Sequence, residues 1–413
     1  MATLKLNSVT ALTEDSGQVA VNLGGGSTAP SSPSNGDMYY DQSKGLLKVW
    51  NGTRWKVVQI LKELPGSGSG VGHEIKHVYT GGADYVMHIF HTSGFFTLNA
   101  TTTCDVLLVG GGGSGGPSIG NNDTGKGGGG GGGVQFRAGY SLPAGDYEIG
   151  VGRGGQTPLN DRGYENYNNF SFHTATGGST TWHAVSDSSY YSDSSTNPNS
   201  GIIANGGGGG GGTDNHFGPK KGGSGGGAGA RSTSYTSGAA SEIRTYTGWT
   251  KYGNAGGNSD GSGNYGGGGG GGAGGAGGNH GTSGNESTSA SSADGGYGGI
   301  GIDMSSYFGT EVGDRGFFAG GGAGGTYYTS AFVSSSKIAL GGKGGGGNGV
   351  WGREQSNFDY NNPTLDNKSF KIDGMDGTGG GGGGSSEGRS DVSMHGAHNG
   401  NGGSGIAIVR YAL

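Results

Sequence analysis

Apolar and polar residues alternate with a period of two at both ends of the chain, while its middle shows no periodicity of side chains at all. Leu4, Leu6, Val19, Val21 and Leu23 fall on alternating positions, the spacing of half-buried strands. A Pro/Ser/Asn/Gly turn region covers 29–36. Two further strand patterns follow, Asp37 to Asp41 and Leu46 to Trp50, then an Asn51-Gly52 hairpin signal and the strand Trp55 to Val58. Gly66-Ser-Gly-Ser-Gly-Val-Gly72 reads as a flexible linker. Beyond it, Glu74–Tyr79, Tyr85–Phe90, Gly94–Leu98 and Cys104–Val109 predict strands, as do Val134–Phe136, Tyr147–Val151 and Gly405–Tyr411. The expected organisation is a β module at 1–65, a linker at 66–73 and a second domain at 74–413. In that domain, strands at 74–109, 134–151 and 405–412 frame whatever lies between.

What lies between is glycine. Unbroken runs occupy Gly127–Gly133, Gly206–Gly212 and Gly379–Gly384, and 266–278 is interrupted only by Ala273 and Ala276. About ten tracts are countable: 110–116, 127–133, 206–212, 222–229, 266–278, 295–301, 320–325, 341–349, 379–384 and 402–405. Glycine loses more backbone entropy on ordering than any other residue, so an isolated tract stays disordered. The polyproline II conformation offers an escape, with three residues per turn, about 3.1 Å rise and no internal hydrogen bonds. Its N–H and C=O groups point outward and can bond to neighbouring segments, provided no side chain intervenes. Interruptions by Ala and Ser fit this reading, and a seven-residue tract would span roughly 22 Å. A set of flexible spacers is the competing reading, and the strands flanking the tracts favour a folded body. The expected fold is therefore mostly β and irregular with almost no α-helix: an N-terminal β module, a β-rich neck or sandwich, and a bundle of about ten polyglycine II helices joined by loops.

Composition sharpens this. Of 413 residues 108 are glycine, and only 29% are apolar, too few for a conventional core of this mass. A sixty-residue module with so few apolar groups buries little by itself, so self-association, most simply as a trimer, is expected through 1–65. Net charge is −6, with 13% charged residues and no basic stripe, so nucleic acid is not an expected partner. The start of the chain carries no apolar signal segment and no run long enough to cross a membrane, so synthesis in a cytoplasm without membrane insertion is expected. Cys104 is the one cysteine, which excludes an intramolecular disulfide and predicts a buried strand thiol.

Leu107-Leu-Val-Gly-Gly-Gly-Gly113, Gly127–Gly133, Leu142-Pro-Ala-Gly-Asp-Tyr-Glu-Ile-Gly-Val-Gly-Arg-Gly-Gly155 and Gly402-Gly-Ser-Gly-Ile-Ala-Ile-Val-Arg-Tyr411 resemble, in that order, the glycine-rich domain family found in tailed-phage and marine sequences. The resemblance covers about 74–413. Separately, Asn35-Gly-Asp-Met-Tyr-Tyr-Asp41 with Leu47-Lys-Val-Trp-Asn-Gly-Thr-Arg-Trp55 resembles a short module of phage fibre proteins. The resemblance implies a virion tail fibre or adhesin, made in the host cytoplasm and acting outside it. Residues 1–65 would attach it to other virion proteins, and loops on a polyglycine II bundle would bind a bacterial surface receptor, a glycan or an outer-membrane protein. A purely structural virion fibre or extracellular filament subunit is the alternative.

If each tract crosses the bundle once, loops alternate between its ends, with the strand-bearing end proximal. The distal loops are then 117–126, 213–221, 279–294, 326–340 and 385–401. Their candidate receptor-binding residues are Asn121, Asn122, Asp123, His216, Phe217, Lys220, Lys221, His280, Tyr327, Tyr328, Phe332, Arg389, His395 and His398. Tyr with Ser, Gly and Asn is the mix of rigid rings and adaptable polar groups used by antibody loops. Trp249, Tyr252, Trp351 and Tyr360 fall in the other loop set, able to stack on sugars or to pack on the bundle. Catalysis is not expected. His73/His77 and His88/His91 have metal-like spacings but sit in strand sequence, where those intervals do not make a helical face. They are expected to be surface or strand residues. Asp359/Asp366 and Asp373/Asp376 could form a carboxylate pair for glycan cleavage, yet nothing around them picks out an acid and a base. There is no P-loop pattern and no Ser/His/Asp constellation, and no metal or cofactor is expected.

Overall fold

A computed structural model of the chain describes residues 5–6, 9–10, 12–15, 18–21, 25–60, 64–116, 125–156, 175–185, 201–212, 217–230, 238–239, 241, 243–259, 266–280, 295–326, 339–349, 372–385 and 399–413. Two compact units divide at Pro65/Gly66.

The first unit contains the hairpins β1 (Lys5–Leu6) with β2 (Val9–Thr10) and β3 (Leu12–Asp15) with β4 (Gln18–Val21). A four-stranded sheet follows, ordered β5 (Gly25–Gly26), β6 (Met38–Asp41), β7 (Leu46–Trp50), β8 (Trp55–Ile60). Gly52 takes φ 91° in the β7–β8 turn, where Asn51 Oδ1 accepts the N–H groups of Thr53 and Arg54 at 3.1 and 2.9 Å. On one face of the sheet Asp41 is buried against Lys48 (3.2 Å), with its carboxylate also accepting from Ser43 (2.7 Å) and Tyr39 (3.2 Å). Burial opposes ionisation there, but the hydrogen bonds from Ser43 and Lys48 prevail and hold the carboxyl below its ordinary range.

The second unit begins with a difference from the sequence reading. Gly66–Ser69, expected as linker, is strand β9, paired antiparallel with a strand thirty residues on. The remaining elements are β10 (His73–Thr80), β11 (Ala83–Phe90), β12 (Gly94–Leu98), β13 (Thr102–Val109), β14 (Val134–Leu142), β15 (Gly145–Gly150), β16 (Thr180–Ala184), β17 (Ile202–Ala204), β18 (Thr250–Tyr252), β19 (Ile302–Asp303), α1 (Ser305–Phe308), β20 (Phe317–Phe318) and β21 (Ile406–Ala412). They form a six-stranded sheet, β10-β11-β21-β13-β14-β18, and a five-stranded sheet, β17-β16-β15-β12-β9, every adjacent pair antiparallel. The six-stranded sheet is buried on both faces, which is why β11, β13 and β21 are near-continuous apolar runs. One face meets Phe96 and Trp182 of the five-stranded sheet through His88 and Tyr411. The other packs Met87, Leu107, Phe136 and Ile408 against Met304, Phe308 and Phe318 of the 302–319 segment. Arg410 pins that segment: it bonds Asp105 (2.6 Å), Thr80 (2.8 Å) and the Tyr307 carbonyl, with its guanidinium over the Tyr85 ring at 4.1 Å.

The strands run straight into the glycine body. From β13 the chain continues through 110–116, whose N–H groups bond in turn to Gly133, Gly178 and Gly403, then Gly130, Ala175 and Gly400, then Gly127. Three neighbours visited in rotation every three residues define a helix with three residues per turn, the polyproline II geometry. Segment 125–133 does the same toward 205–212, 266–272 and 379–385, and accepts from 110–116, 222–230 and 319–326. It therefore has six hydrogen-bonded neighbours, and so does 379–385. The interior is a hexagonal lattice of backbone.

Glycine is obligatory in it. A Cβ on Gly127, Gly128, Gly129, Gly130, Gly131 or Gly132 would sit inside the shell of a carbonyl oxygen on an adjacent segment. Several segments at the periphery follow a different rule: one residue in three faces out and carries the side chain. Tyr297 and Ile300, Arg153 and Gln156, Leu340 and Lys343, and Asn401 and Ser404 each stand three apart at more open positions, separated by glycine pairs. At this surface, side chains replace the missing lattice neighbour. Asp373 and Asp376 accept the N–H groups of Asn401 (2.7 Å) and Ser404 (2.8 Å), and Asn279 accepts that of Asn258 (2.8 Å).

The hydrogen-bond registers also give each segment its direction. Running away from the sheets are 110–116, 151–156, 205–212, 222–230, 253–259, 274–280, 319–326, 344–349 and 379–385. Running back are 125–133, 175–179, 217–221, 266–272, 295–301, 339–343, 372–376 and 399–405. The expectation of about ten single crossings is corrected in two ways. Tracts 266–278 and 341–349 each turn back on themselves, the second through Gly344 (φ 97°) and Gly345 (φ 88°), whose N–H groups are held by Asp314 at 2.9 and 3.2 Å. Glycine-poor stretches such as 151–156, 253–259 and 372–376 are lattice segments as well.

Candidate functional site

Because outgoing and returning segments alternate, the chain leaves and re-enters the described body many times at the end opposite the sheets. It leaves at 116, 156, 212, 230, 259, 280, 326, 349 and 385, and re-enters at 125, 175, 217, 238, 266, 295, 339, 372 and 399. The stretches between these points lie outside the described residues. The same directions overturn part of the proximal assignment. Departures at 156, 230, 259 and 349 belong to this far end, although 134–205, 230–265 and 350–378 were expected at the other. At the sheet end 186–200 joins β16 to β17 and lies outside the described residues; the other connections are tighter: Ala273–Gly275, Lys343–Gly345, Gly377–Thr378 and the 302–319 segment.

Of the fourteen candidate residues, Phe217, Lys220, Lys221 and His280 are described. Asn121, Asn122, Asp123, His216, Tyr327, Tyr328, Phe332, Arg389, His395 and His398 lie outside the described residues. Phe217 is half-buried at the head of a returning segment, its carbonyl accepting from Gly212 N–H at 2.9 Å. His280 closes an outgoing segment, with its N–H bonded to the Asn258 carbonyl (2.9 Å). These two stand at the far end. Lys220 does not: its N–H bonds Gly209, partway down 205–212, and Lys221 lies one residue nearer the sheets. Both lysines are exposed on the flank rather than the tip, because 217–221 is a lattice segment and not a loop.

Side chains near the far end tie the segment ends together. Ser385 donates to Asn399 Oδ1 at 2.6 Å, both buried, and Ser259 donates to the Gly229 carbonyl at 2.7 Å. Asn258 Oδ1 accepts the Gly238 N–H at 2.9 Å. Sequence reasoning passed over these residues. Their signal was the Gly-Gly-X register, in which Asn258 and Gln156 each follow a residue three places earlier that also faces out. The frame is therefore rigid where the connecting stretches begin, the arrangement by which scaffolds hold binding loops.

Elsewhere the chemistry is structural. Among the described residues no group of three His, Cys, Asp or Glu could hold a metal ion. His77 pairs with Asp84 (2.9 Å) and His91 with Glu74 (3.7 Å). His88 is a strand residue, as expected, and is fully buried in β11, with its Nδ1 3.2 Å from His73 and its Nε2 3.0 Å from Tyr411. Asp373 and Asp376 spend carboxylate oxygens on backbone N–H groups of 399–405, and Asp359 and Asp366 lie outside the described residues. Burial, with Asp105 beside it, pushes the Cys104 thiol up to about 12, far from a nucleophile. Trp249 rests edge-on against Tyr140 at 6.2 Å, and Tyr252 packs on the core; Trp351 and Tyr360 lie outside the described residues. No helix among the described residues is long and apolar enough to cross a membrane.

In comparison with known families, the profile of a glycine-rich domain matches residues 91–412. No curated protein matches the chain.

Proposed function

Since the chain belongs to the glycine-rich domain family, we propose that it is a receptor-binding adhesin of a virion tail fibre, in which the glycine lattice presents variable chain to a bacterial surface. The observation that carries this reading is the segregation of connections. The sheet end is closed mainly by tight turns, with 186–200 between β16 and β17 as its long connection, while most of the long connecting stretches, rich in Tyr, Ser, Asn and Thr, depart from the other end. A body whose only function is to space two attachments has no need of long tyrosine-rich connections at one end. The binding is non-catalytic, consistent with the structural use of the described carboxylates, histidines and thiol. Residues 1–65 form a separate unit, suited to attachment and to self-association, most simply as a trimer. Several copies on one particle would turn weak single sites into firm adhesion.

The test is binding of the fluorescently labelled full chain to a panel of bacteria, with the 213–216, 281–294, 327–338 and 386–398 stretches exchanged one at a time. Saturable binding that changes host with the exchanged stretch supports the proposal. A folded, assembled protein that binds no host of its parent particle would instead indicate a structural fibre, and release of reducing sugar from envelope polysaccharide would indicate a depolymerase.

A further inference from the structure

A histidine pair, His88 fully buried and His73 half-buried, lies near the start of the second unit, and one assignment of its hydrogen bonds satisfies it with both rings neutral. Tyr411 donates its hydroxyl proton to the Gly66 carbonyl at 3.4 Å, so it accepts from His88 Nε2–H at 3.0 Å. With Nε2 protonated, neutral His88 offers Nδ1 as an acceptor, and His73 Nε2–H fills it at 3.2 Å. Every group in the chain His73–His88–Tyr411–Gly66 is satisfied with both imidazoles neutral. The two rings are stacked, 5.4 Å apart and 13° from parallel, and Phe90 and Phe96 close over them at 4.8 and 5.0 Å.

No counter-ion faces the pair from any packed element among the described residues. On β10 and β11 the same face carries His77 and Asp84, bonded to each other. β21 contributes the neutral Tyr411 and β13 the Cys104 thiol; β12 and β16 contribute Phe96 and Trp182. Glu74 lies on the opposite face of β10, with His91. β9 itself, Gly66-Ser-Gly-Ser69, has no large side chain to anchor it. Its hold is the four-residue ladder to β12 and the contact of two glycines with these rings. A Cβ on Gly66 would collide with Phe96, and one on Gly68 with His73.

We infer that strand β9 is an acid-released latch: protonation of the His73–His88 pair ejects Gly66–Ser69 from the five-stranded sheet while the rest of that sheet and the glycine lattice stay folded. A first proton can enter at His73 Nδ1 with the chain intact, but a proton on His88 must take Nδ1, which breaks the bond from His73 and leaves a buried cation in stacking contact with the second ring. Opening β9, the edge strand, admits water to both rings at the smallest loss of structure. The freed residues directly follow Pro65, where the two units divide. Burial, with His73 beside it, pulls His88 down to about 4, and burial alone lowers His73. With an ordinary value near 6.5 in the opened state, the opening equilibrium rises about 30-fold between pH 7.5 and pH 5.

Hydrogen exchange on the full chain, corrected for intrinsic rates, tests this. The 66–69 amides should lose about 30-fold in protection between pH 7.5 and 5 through an opening that urea well below the unfolding midpoint leaves unchanged, while amides of β15 and of 127–133 exchange only through an opening that urea promotes. His88→Phe, or His73→Gln should the first fold poorly, should flatten the β9 response. Unchanged β9 protection, a β9 opening as urea-sensitive as that of β15, or a loss that persists in both variants would overturn the latch.

Discussion

At the scale of single residues, the lattice reduces to whether a Cβ has anywhere to go. Gly130 is surrounded by segments whose carbonyls of Ser224 and Gly225 occupy the space a methyl group would need. These are backbone atoms of six-neighbour segments, so they cannot rotate away. Gly130→Ala should destabilise the second unit by roughly 3 kcal/mol or more, the upper range of overpacking, whereas Ala255→Ser on an exposed lattice position should stay within about 0.5 kcal/mol. Urea unfolding of the two variants measures the contrast. His88 makes a second residue-scale prediction. Its folded value of about 4 lies below the ordinary 6.5, so the unfolded chain binds the extra proton. Stability is therefore full above pH 6.5 and falls as pH drops toward 4. This one group contributes a loss of about 3 kcal/mol. Asp41 in the first unit is depressed in the opposite chemical sense and loses its contribution only as pH falls below the ordinary carboxylate range. The midpoint of urea unfolding for the second unit should fall between pH 7 and 4.5; a flat profile would contradict the buried neutral pair.

At the scale of elements, the turn that reverses 341–349 uses positive φ at Gly344 and Gly345 and an external acceptor. Asp314 supplies one for Gly344 and Gly345, so Asp314→Ala should cost about 2 kcal/mol for the lost charged hydrogen bonds, measured by urea unfolding. Most strands were legible in the sequence, because β11, β12, β13 and β21 carry their apolar pattern openly. The polyglycine tracts were legible as lattice segments for the physical reason that nothing else lets backbone pack on backbone. Three features were not. β9 is a Gly-Ser alternation identical in composition to a flexible linker, and only the ring pocket around Gly66 and Gly68 makes it a strand. Segments 217–221 and 372–376 have one glycine each and carry no register that marks them as lattice segments. The Gly-Gly-X register visible in Gly-Gly-Tyr297-Gly-Gly-Ile300 identifies other surface segments.

Across the whole molecule, segment 125–133 takes its neighbours from 110–116, 205–212, 222–230, 266–272, 319–326 and 379–385, so almost the entire second unit must assemble around it. Replacing 351–371 with a short Gly-Ser connection should leave the thermal midpoint of the second unit within a few degrees, since changing loop length costs little, while altering host binding; a collapse of the midpoint would mean that the stretch is part of the body.

The direction of the lattice bonds also sets how the molecule carries load. They lie across the segment axis, and the segments run from the sheet end to the far end. A pull on the far end against the C-terminal strand β21 therefore loads them in shear. Drawing 399–405 out of place must break its bonds to 110–116, 151–156, 372–376 and 379–385 together rather than one after another. A body with scarcely any side chains in its interior would thus behave under tension as a stiff rod.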